Sequence, residues 1–247
     1  MGIERELGDD SEPCEGKGVG VTGLEGESVT VRLIGDIKSR VVGNVWEMIV
    51  GRWGEERVKG LLSSHPSTLI YGGALRDAAA TVIGGWDAGF GKNGGDLDIV
   101  SCVGYPGGEI GYQDLGETEA YEVWMAGEGT IESIVNCDDG VQWVKVTMSR
   151  DEEGVVGATF DHVGRVDFRC CGLAMDSQLR LWEVVDGAEA DCVDLCLNLN
   201  PERIRAITAE NVDCVKRRVV KLVSRGWKKG EWMEDTLHYR ASISRET

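Results

Sequence analysis

Two short segments carry the residue types best suited to chemistry. Tyr71-Gly72-Gly73-Ala74-Leu75-Arg76-Asp77 follows an apolar, β-branched run from Thr68 and leads into good helix formers, which reads as strand, glycine turn and helix. Glycine has no Cβ, so backbone amides at such a turn can face a phosphate, and the following helix N-terminus adds partial positive charge. Gly72 and Gly73 are therefore candidate binding residues for a phosphorylated ligand, with Arg76 able to pair with phosphate or to hold Asp77 in place. Asp96-Leu97-Asp98-Ile99-Val100 begins nineteen positions after Asp77. In an extended strand Asp96 and Asp98 point to the same face, because side chains alternate with period two. Paired hard oxygen ligands suit Mg²⁺.

Other elements must hold these two segments. Ser28 to Ile34 alternates as a strand does, and Val42, Val45, Ile49 and Trp53 recur at helical spacing, followed by a shorter helix from Glu55 to Leu62. Apolar stripes of this kind are packing elements. Gly84 to Gly95 reads as a long loop between the Arg76-Asp77 helix and the Asp-x-Asp strand, and Gly104 to Gly116 as a second glycine-rich turn region. Tyr121 to Met125 and Gln142 to Met148 read as strands, with Asp138-Asp139-Gly140 a turn between them. Leu181 to Asp186 reads as a further strand. Pro201 opens a helical region that runs to Arg225, with Val212, Val215, Val219, Leu222 and Val223 on its apolar face and Gly226 placed to end it. Lys216, Arg217, Arg218, Lys221, Arg225, Lys228 and Lys229 crowd this region. They form either a solvated helix face or an RNA-contacting surface.

At 247 residues the chain can bury one sizeable core. Residues 1–28 are acidic, glycine-rich and poor in large apolar side chains, so a flexible acidic tail is expected there. The net charge of -17 argues against broad, charge-driven nucleic-acid binding while leaving room for a local basic face. Eight cysteines without a Cys-x-x-Cys pair, and three scattered histidines, give no zinc pattern. Reduced thiols and a cytoplasmic location are expected. No apolar run approaches the length of a membrane span.

Gly72-Gly73-x-x-Arg76-Asp77 followed by Asp96-x-Asp98 resembles the head-domain signature of the polymerase-β-like nucleotidyltransferases. Within them it is most similar to the branch of CCA-adding enzymes and bacterial poly(A) polymerases, in a short, head-only form of phage or bacterial type. A second stretch, Asp161 to Asp176, is similar to the family's Arg-Arg-Asp-Phe-Thr-x-Asn-Ala-Leu-Ala segment. Arg165, Asp167, Phe168, Leu173 and Ala174 match, whereas Val166, Arg169 and Cys171 replace the second arginine, the threonine and the asparagine. Read from residue types alone, this stretch is a strand-to-helix transition with Phe168, Leu173 and Met175 in the core.

The resemblance implies an α+β fold, a mixed β-sheet head flanked by helices over residues 29–200, with a short C-terminal helical neck over 201–247. It also implies nucleotidyl transfer from a nucleoside triphosphate to a hydroxyl acceptor, an RNA 3′ end, with two Mg²⁺ ions held by the catalytic pair Asp96 and Asp98. Gly72, Gly73, Arg76, Asp77, Arg165, Asp167 and Arg169 are the implied nucleotide-binding residues. The family places a third acid on a neighbouring strand. Alignment on Arg150 puts Lys145 at that position, which would oppose metal binding and leaves open a degenerate head that binds nucleotide or RNA without chemistry.

Overall fold

Leu69, Ile70 and Tyr71 form a strand of three residues, β3, buried along its whole length. Burial on both faces requires a covering layer on each side of the sheet, and the chain supplies both. The computed structural model describes residues 18–22, 28–88, 90, 95–106, 131–137, 140–146, 154–208 and 211–243. Besides β3 the strands are β1 (Gly18–Thr22), β2 (Ser28–Gly35), β4 (Leu97–Ser101), β5 (Ile131–Cys137), β6 (Val141–Val146), β7 (Leu173–Asp176), β8 (Leu181–Glu183), β9 (Cys196–Leu197) and β10 (Lys228–Lys229). The helices are α1 (Arg40–Trp53), α2 (Glu55–Leu62), α3 (Gly72–Ile83), α4 (Gly154–Gly164), α5 (Ala188–Asp194), α6 (Pro201–Ile204), α7 (Val212–Val223) and α8 (Met233–Ile243).

The main sheet runs β1-β2-β8-β7-β3-β4-β6-β5. Among the described strands of this sheet only the β4–β6 pairing is parallel; β3 pairs antiparallel with both β4 and β7, and β9 pairs parallel with β10 in a separate two-stranded sheet. The fold is thus the expected α+β class, with a mixed sheet between helices. Alternation along the strands sorts the core into two layers. Ile70, Leu97, Ile99, Trp143 and Met175 pack with apolar residues of α1, α2, α3, α5 and α7, while Leu69, Tyr71, Val100, Val144 and Trp182 pack with Ala158, Phe160 and Val163 of α4.

Local chemistry explains the elements nearest the cleft. Ser39 caps α1 by accepting the Val42 amide at 3.2 Å, and Val42, Val45, Trp46, Ile49 and Trp53 turn the helix toward the sheet. Asn200 is fully buried and caps α6. Its Nδ2 donates to Gly164 O at 2.7 Å and Val166 O at 2.9 Å, while its backbone amide donates to Asp167 O at 2.8 Å. That one side chain fixes the turn carrying Asp167.

Several expectations need correction. Gly18–Thr22, placed by composition in a flexible tail, pairs antiparallel with β2 as an edge strand. The Asp161 to Asp176 stretch runs in the opposite sense to the expected strand-to-helix transition: α4 ends at Gly164, a 3-10 turn spans Arg169–Cys171, and β7 follows. The helical region from Pro201 is broken, because α6 stops at Ile204 before α7 begins at Val212. Residues 1–17, the strand expected at Tyr121 to Met125, the Asp138-Asp139 turn and Arg150 lie outside the described residues.

Replacing Asn200 with Ala leaves one buried and one part-buried carbonyl without their donor, at a cost of about 2 kcal/mol. Urea unfolding should show stability lower by that amount, seen as a lower midpoint at an unchanged m-value; a stability equal to that of the parent protein would contradict the role assigned to Asn200.

Candidate active site

The turn from β3 into α3 places Gly72 against Asp98. Gly72 has φ 73°, in the left-handed region that only glycine adopts without cost. A Cβ built there collides with Asp98 Oδ2, so a side chain at this position would be strained in its backbone and would displace the Asp98 carboxylate. The Gly73 amide donates to the same Oδ2 at 3.2 Å. In this structure, then, the Gly73 amide holds the carboxylate rather than facing open space for a phosphate.

Asp98 lies within β4, opposite Tyr71 on β3 and Gln142 on β6. Asp96 stands just before the strand and is exposed. Its approach is fixed by three bonds: Arg52 donates to Gly95 O at 2.8 Å, the Leu97 amide donates to Gly140 O at 2.8 Å, and Trp53 Nε1 donates to the same Gly140 O at 3.1 Å. Both aspartates line a cleft of about 420 Å³ between the end of β4, α4 and α7.

Burial pushes the Asp98 carboxyl up to about 6, and the neighbouring Asp96 charge adds to this; the Gly73 amide, Arg218 and Arg76 act the other way. A buried carboxylate disfavoured as a lone anion, with a second acid beside it, is suited to a bound cation. Mg²⁺ is commonly held by one or two carboxylates, with phosphate oxygens and water completing its shell, so this donor pair fits it. Among the described residues no group of three or more His, Cys, Asp or Glu is arranged to hold a metal.

Arg76 and Asp77, the next pair along α3, are both buried. Arg76 donates to Asp77 at 2.7 Å, and Arg225 reaches Asp77 Oδ2 at 3.4 Å. The Arg76 guanidinium also lies over the Trp227 ring, 5.3 Å from its centroid. Asp167 lines the cleft beside them and receives Arg218 Nη1 at 2.8 Å. Burial pushes its carboxyl up to about 7, opposed by the charge of Arg203. Arg218 itself is drawn down to about 10 by burial, with Asp98 and Tyr71 opposing.

The implied nucleotide-binding residues therefore divide. Gly72, Gly73, Arg76, Asp77 and Asp167 line the cleft with Asp96 and Asp98, whereas Arg165 and Arg169 do not. Arg165 pairs with Asp161 one turn back on α4 at 2.6 Å, and Arg169 makes a two-pronged pair with Asp191 at 3.1 and 2.5 Å. Lys145 also needs correction. It pairs with Ser101, three positions beyond the Asp98–Gln142 pair, so alternation turns it to the opposite face of the sheet. The β6 residues that line the cleft beside Asp98 are Gln142 and Val144.

Further residues complete the walls. Arg218, Lys221 and Arg225 of the basic run, read from the sequence as either a solvated face or an RNA-contacting surface, line the cleft; Arg218 and Lys221 are three apart on α7 and Arg225 follows its end. His162 also lines it, 2% exposed, with Nε2 at 3.0 Å from the Tyr71 hydroxyl. Nothing in its sequence context marks it.

Burial, with Arg165 and Arg203 nearby, lowers the pKa of His162 to about 4. Its folded value lies below its unfolded value, so its contribution to stability is complete above pH ~6.5 and is lost as pH falls toward 4. Nitrogen chemical shifts should show the imidazole neutral until about pH 4; a midpoint near 6.5 would contradict this burial. Gly72→Ala should cost about 2 kcal/mol or more, from left-handed strain plus the clash with Asp98. Thermal unfolding of the variant checks it, and an unchanged Tm would show that the turn is not as tight as described.

Comparison with solved structures gives CCA-adding enzymes. The Thermotoga maritima CCA-adding enzyme complexed with tRNA matches with a TM-score of 0.46 and 15% identity, over 80% of this chain and 45% of that one. A CCA-adding enzyme complexed with CTP matches with a TM-score of 0.47 and 17% identity, over 83% of this chain and 48% of that one. The chain thus spans about half the length of the structures it matches. No protein-family model and no curated protein sequence matches it.

Proposed function

We propose that the chain is a metal-dependent nucleotidyltransferase, moving a nucleoside monophosphate from a nucleoside triphosphate to a hydroxyl acceptor, an RNA 3′ end. One observation supports this above the rest: the glycine turn seats Asp98 in a cleft lined also by Asp96 and by Arg76, Arg218, Lys221 and Arg225. A polyanion entering this cleft meets both cations and a pair of carboxylates that can hold its counter-ion. The acceptor oxygen attacks the α-phosphorus, the bond to the bridging oxygen breaks, and pyrophosphate leaves.

In this reading Asp96 and Asp98 hold Mg²⁺, two ions in the full reaction, which lowers the pKa of the attacking hydroxyl and stabilises charge on the leaving oxygens. Arg218 and Lys221 bind the departing phosphates, and Arg225 with Asp77 holds Arg76 in place for the same task. Asp98 carries a proton below pH ~6 in the metal-free protein, so Mg²⁺ affinity falls as pH drops through that value.

A second reading has a specific observation behind it. Gln142 and Val144 occupy the β6 positions beside Asp98 where a third carboxylate would stand. A head that binds nucleotide or RNA without turnover would look the same on that strand.

Pyrophosphate release from each of the four ribonucleoside triphosphates, with Mg²⁺ and an RNA pool, separates the two readings. Transfer is expected, and Asp96→Asn or Asp98→Asn should each lower it by about 10²-fold or more. Calorimetric binding of a triphosphate without pyrophosphate release would favour the binding module, and activity untouched by both substitutions would overturn the catalytic assignment.

A further inference from the structure

The cleft wall carries a thiol that nucleotidyl transfer does not use. Cys171 ends the 3-10 turn between α4 and β7, is half-buried, and lines the cleft. Arg76 Nη1 lies 3.3 Å from its Sγ and donates to it. That guanidinium cannot swing away freely, since Asp77 binds it at 2.6 Å and the Trp227 ring lies under it. A fixed cation beside a sulfur favours thiolate over thiol.

The neighbouring sulfurs differ in kind. Cys170 and Cys192 are buried, and Cys192 Sγ points at the Arg76 and Cys170 carbonyls at 3.9 and 3.7 Å. Burial pushes the thiols of Cys170, Cys192 and Cys196 up. At Cys171 the neighbouring Cys170 thiol and the charge and hydrogen bond of Arg76 outweigh burial and the Asp77 charge, and the thiol is drawn down. Among the described cysteines, Cys171 alone combines a cationic partner with a place on the cleft wall.

We propose that Cys171 is a modification site, a thiolate held beside Arg76 on the cleft wall that reacts with peroxides and other small electrophiles entering the cleft. With hydrogen peroxide, the sulfur attacks one oxygen, the O–O bond breaks and hydroxide leaves. Cys171 becomes a sulfenic acid, oxidised by two electrons while the peroxide is reduced. The new oxygen enlarges the side chain at the wall that Arg76, Asp77 and Asp167 share, so oxidation narrows the cleft. The reaction needs neither metal nor nucleotide, and it stands or falls separately from the proposed transferase activity.

The test uses the full chain, treated with hydrogen peroxide in the presence of dimedone and digested for residue-resolved mass spectrometry. Dimedone should appear on Cys171 at least about ten-fold faster than on Cys170, Cys192 or Cys196, the difference that one pKa unit makes in thiolate fraction. The adduct should be absent from Cys171→Ser. Independently, iodoacetamide alkylation of Cys171 in the unmodified protein should reach half its maximal rate below the pH ~8.5 of an ordinary thiol. Equal labelling of all four cysteines, or an alkylation midpoint at or above that value, would overturn the proposal.

Discussion

The site depends on a contact that leaves no room for a side chain. Asp98 Oδ2 rests where a Cβ of residue 72 would be, and the Gly73 amide donates to it. Glycine at 72 meets two demands at once, a left-handed φ and this approach. Because β3 and β4 are adjacent and antiparallel, with Tyr71 opposite Asp98, the strand that ends in the turn lies directly beside the strand that presents the carboxylate. The phosphate-cradle chemistry expected of a Gly-Gly turn is here directed inward, toward placing a carboxylate at the cleft.

A buried charge network ties the C-terminal segment to that turn. Asp77 is shared by Arg76 and Arg225, Asp167 receives Arg218, and Trp227 lies beneath Arg76. Ion pairs of this kind give little net stability after desolvation, but removing one partner strands the other's charge. Their effect is geometric: α7 and the turn after it are tied to Asp167 and to α3, and Arg218, Lys221 and Arg225 line the cleft. The segment 201–247, expected as a neck following a head, thus supplies these three residues to the cleft.

Local signals in the sequence were legible where period and turn chemistry agree. Val42, Val45, Ile49 and Trp53 marked α1, the glycine pair marked the β3–α3 turn, and Asp-x-Asp marked β4. Non-local geometry was not legible. Lys145 sits near the expected third-acid position in alignment, yet the parallel β4–β6 register turns it to the far face and brings Gln142 beside Asp98. Arg165 and Arg169 belong to a segment that reaches the cleft, but their charges are taken by Asp161 and Asp191. His162 and Cys171 gained significance only once α4 and the 3-10 turn were folded against β3 and α3. No pattern in the sequence encodes those pairings.

The central claim is that Asp96 and Asp98 hold a cation against a triphosphate gripped by the arginines and lysine that line the same cleft. A crystal structure with Mg²⁺ and a non-hydrolysable nucleoside triphosphate tests it most directly. The account predicts metal bound to both carboxylates, with phosphate oxygens reaching toward Arg76, Arg218 and Lys221. A triphosphate bound away from this cleft, or one bound inside it with Asp96 and Asp98 contacting no metal, would contradict it.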